Sequence, residues 1–549
     1  MISPASKPVY WTWLAASVLM LAEFLLFDAM TSQHHARFYP RWNDQIQYLS
    51  EAYRAYEISR VDGFIAGLKS TLTKTSLQGT LHDFSAQFIF QVVGSASRSA
   101  ALSLNMLVFL AWQATLLVFI PKLTGSRTLG WMGFGLLLCL AWPWSNEAGS
   151  AVDFRLDHAA MCLLGITSVV ALMTQGLRHT GWSLALGLAI GITILERFLT
   201  GAYFAVIFTA CSAWVMFGPD RGLRLRNLLL AGLVCTLLTA PVFWANREGI
   251  YTYYWVGHVS GSESAARLRG FDLWTSVRFL LENLGVMHLG SWFGGVVVGI
   301  TAGLLALTRL APRTNKPVPD LNWLFIGLIF FLAPVAVLTV HPQKSEYVLG
   351  VLVPGIVLLV LWLWQFLWTH IDFSIGPRWR RWMPTTLALV TLGAGGGNFV
   401  TRQCAQPHDD EFLRSARSVN ELADRIYAAA QKLHLPNPTI GVDQIVDFVD
   451  AQILGVICYE RQHVWYSFVT QMPDSILAEP DDVIRYKLNL CDFILLTDQM
   501  PGDGYWPYDK AMRRLYPELK TWCETHRNLS KTFSIQGREM SLYQRSEFP

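Results

Sequence analysis

Runs of about 20 apolar residues punctuate the chain, each long enough to cross the hydrocarbon core of a bilayer as a helix. Eleven spans are predicted, near 11–30, 99–119, 129–145, 157–175, 182–198, 200–217, 228–245, 284–308, 322–340, 347–369 and 383–400. Residues 31–98 depart from that pattern. There Ile46, Leu49 and Tyr53, then Ile65, Leu68 and Leu72, recur at three- and four-residue steps, which predicts amphipathic helices lying on the membrane surface. Beyond residue 400 the pattern changes again. Residues 409–434 predict a helix, and "TIGVD", "ILGVICY", "HVWYSFV" and "DFILLTD" predict short strands, the last with the unbroken apolar character of a buried one. The expected fold class is a mainly α, polytopic membrane protein: a helical bundle over residues 1–400 and a soluble α/β domain over 401–549.

Composition agrees. Of 549 residues, 52% are hydrophobic and 15% charged, against roughly 25% charged in soluble proteins. Of the 40 acidic and 43 basic residues, 21 and 16 fall after residue 400, so a basic membrane part carries a mildly acidic tail. A net charge of +3 without a basic, aromatic-studded stripe gives no support to a nucleic-acid partner. Cys139, Cys162, Cys211 and Cys235 sit in apolar runs as small core residues. Cys404, Cys458, Cys491 and Cys523 in the tail match no metal motif; in an oxidising compartment they have the number for two disulfides. The first apolar run lacks a small-residue cleavage site and is expected to stay as an anchor. No Gly-rich phosphate loop follows any strand of the tail.

Basic residues mark alternate loops: Lys122 and Arg127; Arg178; Arg221, Arg224 and Arg226; Arg309, Arg313 and Lys316; Arg378, Arg380 and Arg381. The positive-inside bias makes these cytoplasmic. The expected location is a multi-pass plasma (bacterial inner) membrane, with the amino terminus, including Lys7, inside and the tail periplasmic or extracellular.

The polar chemistry then gathers on the outer face. Asp44 stands in "PRWNDQIQYL", where Pro40 turns the chain out of the membrane and Trp42 and Tyr48 anchor it at the interface. The second outer loop ends in "DFRLDHA". A helix starting near Phe154 would put Asp153 and Asp157 on one face. These acids with Arg155 and His158 suit binding a cation, orienting a hydroxyl or capping a helix. "HPQKSEYV" brings His341, Lys344 and Tyr347 to a span end ahead of Pro354; Lys344 there either snorkels to headgroups or holds a lipid phosphate. Arg197 beside Glu196 is expected to form an ion pair with it. Glu23 and Asp28, in or near the first span, fit either function or a hydrogen bond to a neighbouring helix.

That order, an acid opening the first long outer loop, an Asp-Arg-Asp motif in the second and a His-Lys-Tyr cluster before a Pro-bearing span, resembles the GT-C superfamily of membrane glycosyltransferases. Within it the chain is similar to the branch of protein O-mannosyltransferases and the bacterial lipid A aminoarabinose transferase. The resemblance covers about residues 10–400; the tail matches no named domain and lacks the β-trefoil-type insertion of eukaryotic O-mannosyltransferases. It implies transfer of a sugar from a polyprenyl-phosphate donor to a hydroxyl on a glycan, lipid or protein acceptor, at the bilayer's outer face and with inversion. Asp44 would be the general base, with Asp153 and Asp157 as the second acidic site. Lys344, His341, Tyr347 and Arg155 would meet the donor phosphate, and Arg247, His258, Arg267 and Arg269 of the fourth outer loop would close over it. Asp44, Asp153 and Asp157 also carry the oxygen ligands a divalent metal ion takes, and metal use stays open. A transporter or lipid flippase is the competing class, disfavoured by the absence of an internal repeat and by polar residues at one face instead of mid-membrane. A non-catalytic lipid-binding scaffold would not need several acids beside the phosphate cluster.

Overall fold

The computed structural model describes residues 7–38, 43–73, 76, 78–217, 219–260, 272–306, 321–341, 344–370, 377–405, 410–442, 451–470, 480–497 and 507–546. A helix stands at each of the eleven predicted runs. Among the described residues, however, seven are long and apolar enough to cross a membrane: Thr12–His34, Arg98–Thr124, Leu156–Met173, Arg221–Gly257, Leu273–Ala306, Leu321–Val340 and Glu346–Thr369. Thr180–Glu196 and Thr200–Met216 are shorter apolar helices. The protein is a multi-pass membrane protein, but eleven full-length spans are not reached by that measure.

The run at 129–145 shows one reason. Its helix, Arg127–Leu138, stops after 12 residues, and the chain turns through Trp142–Trp144, where Pro143 has no N–H to continue a ladder. Asn398 satisfies the freed backbone, its Nδ2 donating to the carbonyls of Leu138 (2.7 Å) and Leu140 (2.9 Å). Residues 139–144 and 149–160 are buried throughout, so the segment expected as the second outer loop is a buried strap and not a solvated turn. Irregular backbone of this kind is tolerated beside a bilayer where protein encloses it. Gly135 and Gly395 let this short helix and the Pro377–Cys404 helix meet backbone to backbone.

The segment between the first two long apolar helices, expected as the first outer loop, contains the three helices Asn43–Asp62, Phe64–Thr73 and Leu81–Val93. The first and third of them share one apolar core with the tail, in which Ile46, Leu49, Tyr53 and Phe90 pack with Val419, Leu422, Ile457 and Tyr459. Polar contacts follow the same seam. Glu460 accepts from Tyr53 Oη (2.7 Å) and Arg98 Nη2 (2.9 Å), and Glu57 accepts from Tyr459 Oη (2.5 Å).

The tail is α/β, with a five-stranded sheet. Strands β1 (Thr439–Val442), β2 (Ser467–Thr470), β3 (Phe493–Thr497), β4 (Arg527–Ile535) and β5 (Arg538–Arg545) lie in the order β2-β1-β3-β5-β4. β1 pairs in parallel with β2 and β3, and β3 pairs antiparallel with β5, Leu495 facing Leu542. "DFILLTD" is the buried central strand, as expected. "ILGVICY" is not a strand: it lies in the helix Ala451–Gln462. Docking on the Asn43–Asp62 helix, where Tyr459 stacks on Tyr53 with ring centroids 5.2 Å apart, overrides its β-branched propensity. All eight cysteines are free thiols, so the two tail disulfides are not formed.

Candidate active site

Two helix N-termini and the buried strap converge at one end of the bundle. Asp44 occupies the first turn of Asn43–Asp62, and Asp157 the first turn of Leu156–Met173; at such ends the peptide dipoles favour a carboxylate. The second helix begins at Leu156 with Arg155 as its N-cap residue. Asp153 therefore precedes the helix, and the expected shared face of Asp153 and Asp157 does not exist. Nor does Asp153 cap. Its Oδ2 accepts from the Gly149 N–H (2.6 Å) and lies 3.1 Å from Arg155 Nε.

Arg155 joins the elements. Its Nη1 is 3.3 Å from Asp44 Oδ2, and its guanidinium lies over the Tyr347 ring, 4.8 Å from the centroid. Burial works against this charge, but Asp153 and Asp44 more than offset it and hold the pKa of Arg155 above its ordinary value. Asp153 is fully buried, and burial pushes its carboxyl up to about 7 despite the pull of Arg155 and the Gly149 N–H. Gly149 has φ +74°, and a Cβ there would meet Tyr347 Cβ at 2.9 Å and Asp157 Cβ at 3.3 Å. Only glycine permits this approach. Asn105 fixes the strap from below, its Nδ2 donating to the carbonyls of Ala151 (3.1 Å) and Asp153 (2.9 Å).

Asp157 pairs with Arg197 Nη1, and Glu196 faces His82 instead, Oε1 lying 2.7 Å from Nδ1. The expected Glu196–Arg197 pair is therefore replaced by two partners from elsewhere in the chain. The segment bearing His82 is pinned alongside: the Thr80 N–H donates to Leu195 O (2.9 Å), and the Phe198 N–H to Gln78 O (2.7 Å). Gln78 also links Tyr48 and Tyr253, accepting from the first hydroxyl (2.7 Å) and donating to the second (2.9 Å). Burial first, then the Asp44 charge, raises the Tyr48 pKa and keeps that phenol neutral. Sequence reasoning missed Gln78, His82 and Asn105 as parts of this network. Their signal was faint: single polar residues at the edges of apolar runs.

The His-Lys-Tyr cluster divides. Tyr347 reaches the site through Arg155. His341 lines an apolar groove of about 850 Å³ with Phe198, Phe243, Tyr254 and Val337. Lys344 does not sit at a solvated edge. It is 5% exposed, and its Nζ donates to the carbonyls of Leu338 (2.8 Å), Thr339 (2.9 Å) and His341 (2.6 Å). It thus satisfies the orphan carbonyls that end the Leu321–Val340 helix, and burial lowers its pKa. Arg247 stays outside the cluster, donating to Trp244 O and stacked on that indole. Arg267 and Arg269 lie outside the described residues, as do Pro40, Arg41 and Trp42 and the side chain of His258. In the first span Glu23 is buried, facing Gln113, and Asp28 Oδ1 accepts from Ser99 Oγ at 3.4 Å.

The acids do not fit a divalent cation as a set. Arg155 lies between Asp44 and Asp153, Arg197 holds Asp157, and among the described residues no group of three His, Cys, Asp or Glu side chains is gathered for a metal. What remains is a half-exposed carboxylate on a cationic mount, beside an apolar groove.

No protein-family model and no curated protein matches the chain. Solved structures do. ArnT from Cupriavidus metallidurans in the apo state superposes with a TM-score of 0.59 over 98% of both chains at 14% identity. ArnT from the same organism bound to undecaprenyl phosphate gives 0.58, covering 96% of this chain and 97% of that one at 13% identity. The archaeal oligosaccharyltransferase AglB from Archaeoglobus fulgidus, in complex with an inhibitory peptide and a dolichol-phosphate, gives 0.50 at 8% identity over 87% of this chain and 69% of its own. The chain has the GT-C fold of membrane glycosyltransferases.

Proposed function

We propose that the protein transfers a sugar from a polyprenyl-phosphate donor to an acceptor hydroxyl at the end of the bundle that carries Asp44. The observation that carries this is the placement of Asp44: its side chain is 52% exposed, at a helix N-terminus, and held by Arg155. Undecaprenyl phosphate and dolichol-phosphate stand in the similar structures, and the apolar groove beside the site has the character a prenyl chain needs. Arg197 adjoins that groove and lies within electrostatic reach of Tyr48, Tyr203 and Tyr254.

In this proposal the acceptor oxygen attacks the anomeric carbon as its proton passes to Asp44. The bond from that carbon to the donor phosphate oxygen breaks, and the lipid phosphate leaves with the electron pair. One displacement inverts the centre. Arg197, His341 and Tyr347 are assigned to the phosphate, where preorganised donors stabilise charge as it develops. Arg155 orients Asp44, with Asp153 behind it, and Lys344 supports the groove's rim through His341 O. The amino terminus is assigned to the cytoplasm and the tail to the periplasmic or extracellular side. Mass spectrometry of lipid extracted from the purified protein is the test. A polyprenyl phosphate is the expected species; its absence, together with no binding of added undecaprenyl phosphate, overturns the proposal.

A further inference from the structure

The opposite end of the bundle holds a second cavity. It measures about 310 Å³ and lies among the Thr180–Glu196, Thr200–Met216, Arg221–Ile250 and Leu321–Val340 helices, walled by Ile190, Phe204, Cys211, Trp214, Leu228 and Phe325. The helix that starts at Leu156 beside the carboxylates runs 18 residues to Met173 and ends next to this cavity at Thr174. At 1.5 Å per residue the two sites stand about 27 Å apart.

The walls are apolar, but Thr174, Gly176 and Asn322 are among the lining residues, and a cation is buried against Gly176. Arg224 is 4% exposed. Its Nε donates to Gly176 O at 2.7 Å. Its Nη2 lies 3.6 Å from where a Cβ on Gly176 would stand, and it has no hydrogen-bond partner among the described residues. Among the described residues, the charges nearby do not complete it. Asp220 lies 3.4 Å from Arg178, and Arg226 donates to Thr180 Oγ1 at 2.9 Å. Among the described residues, three arginines thus meet one carboxylate at the mouth, in the basic loops of the bundle. A desolvated cation that shares its described carboxylate, Asp220, with Arg178 is costly, and an anionic headgroup adds the negative charge that three arginines draw. On the other side of the cavity Ala205 and Phe208 are exposed, so a chain enters sideways from the bilayer.

We infer that this cavity is a lipid site: one acyl chain of an anionic phospholipid fills it, and the lipid phosphate accepts from Arg224 Nη2. An apolar volume without a cation at its mouth would bind lipids of any charge; one with Arg224 discriminates, because charge-assisted hydrogen bonds to phosphate are roughly twice as strong as neutral ones.

Native mass spectrometry of the full-length protein in detergent, titrated with dioleoyl phosphatidylglycerol or dioleoyl phosphatidylcholine, tests this. The expected result is one retained phosphatidylglycerol, preferred about tenfold over phosphatidylcholine. Arg224→Gln should erase the preference and keep residual binding of both lipids. Arg224→Lys should keep part of it. Ala205→Phe, which fills the open side, should weaken both lipids alike. An unchanged preference in Arg224→Gln overturns the site, as does undiminished binding in Ala205→Phe. If Arg224→Gln fails to fold, the wild-type comparison still decides: equal retention of the two lipids removes the anionic headgroup from the proposal.

Discussion

Asp44 and Asp157 begin from the same local chemistry. Each stands in the first turn of a helix, and each faces an arginine from another part of the chain. They differ in burial. The Asp44 side chain is 52% exposed, whereas Asp157 and its partner Arg197 are 6% and 11% exposed. A carboxylate that has lost its water cannot be spared from its pair, because removing one partner leaves the other charged and buried. A half-solvated one can take a proton from a substrate without dismantling the fold. The difference separates the acid suited to chemistry from the acid that holds helices together, and it tests the proposal from both sides.

The largest effect belongs to Asp44. Asp44→Asn keeps size and polarity but loses the proton acceptor, so turnover of the purified protein should fall by about 10²–10⁴-fold. Its stability should change by less than about 1 kcal/mol, since Asp44 is half-solvated and the buried Arg155 keeps Asp153 at 3.1 Å. Near-normal turnover would end the assignment of Asp44 as base. Asp157→Asn should show the reverse emphasis. Leaving Arg197 buried and unpaired should cost about 3–5 kcal/mol in unfolding experiments in mixed micelles. If the two variants lose stability equally, burial does not separate the two acids.

Much of the fold was legible in the sequence because it rests on period and length. A helix formed at every apolar run, and Asp44, Asp153, Arg155, Asp157 and Tyr347 came to one place. What was not legible depended on tertiary contact. Glu196 and Arg197 look like partners in the sequence, but the helix ends at Glu196 and Arg197 is its C-cap residue in extended conformation, so the two side chains part. Each instead found a partner more than 35 residues away in sequence, His82 and Asp157. "ILGVICY" has strand propensity, and only its docking on the Tyr53 helix makes it helical. The hairpin of β4 and β5 turns on the pair Gln536-Gly537. Gln536 and Gly537 both have positive φ, 52° and 70°, as a two-residue hairpin turn requires.

Lys344 sharpens the comparison at smaller amplitude, because it too is a charge removed from water, but its partners are backbone carbonyls. Lys344→Met keeps the stem and deletes three hydrogen bonds. The expected loss of stability is about 1–3 kcal/mol, with binding of undecaprenyl phosphate unchanged. A selective loss of that binding, at wild-type stability, would return Lys344 to the donor phosphate.

The finest test is a slope. Asp153 shares Arg155 with Asp44, yet burial lifts its carboxyl from 3.8 to about 7. The folded state therefore holds a proton that the unfolded state releases near pH 4. Between about pH 4 and 7 the unfolded chain binds fewer protons, so this group makes stability fall as pH rises, by at most about 1.4 kcal/mol per pH unit, and leaves it flat above pH 7. Other groups titrate in the same range, but the wild-type curve minus that of Asp153→Asn isolates this one. The difference should slope across that window and level off on either side. Ionisation of Asp153 also strengthens its hold on Arg155, loosening the arginine's attachment to Asp44, so the pH dependence of turnover near 7 should change in Asp153→Asn as well. A difference curve that is flat from pH 4 to 7 would mean that Asp153 is ionised in the fold throughout, with Arg155 and the Gly149 N–H outweighing its burial.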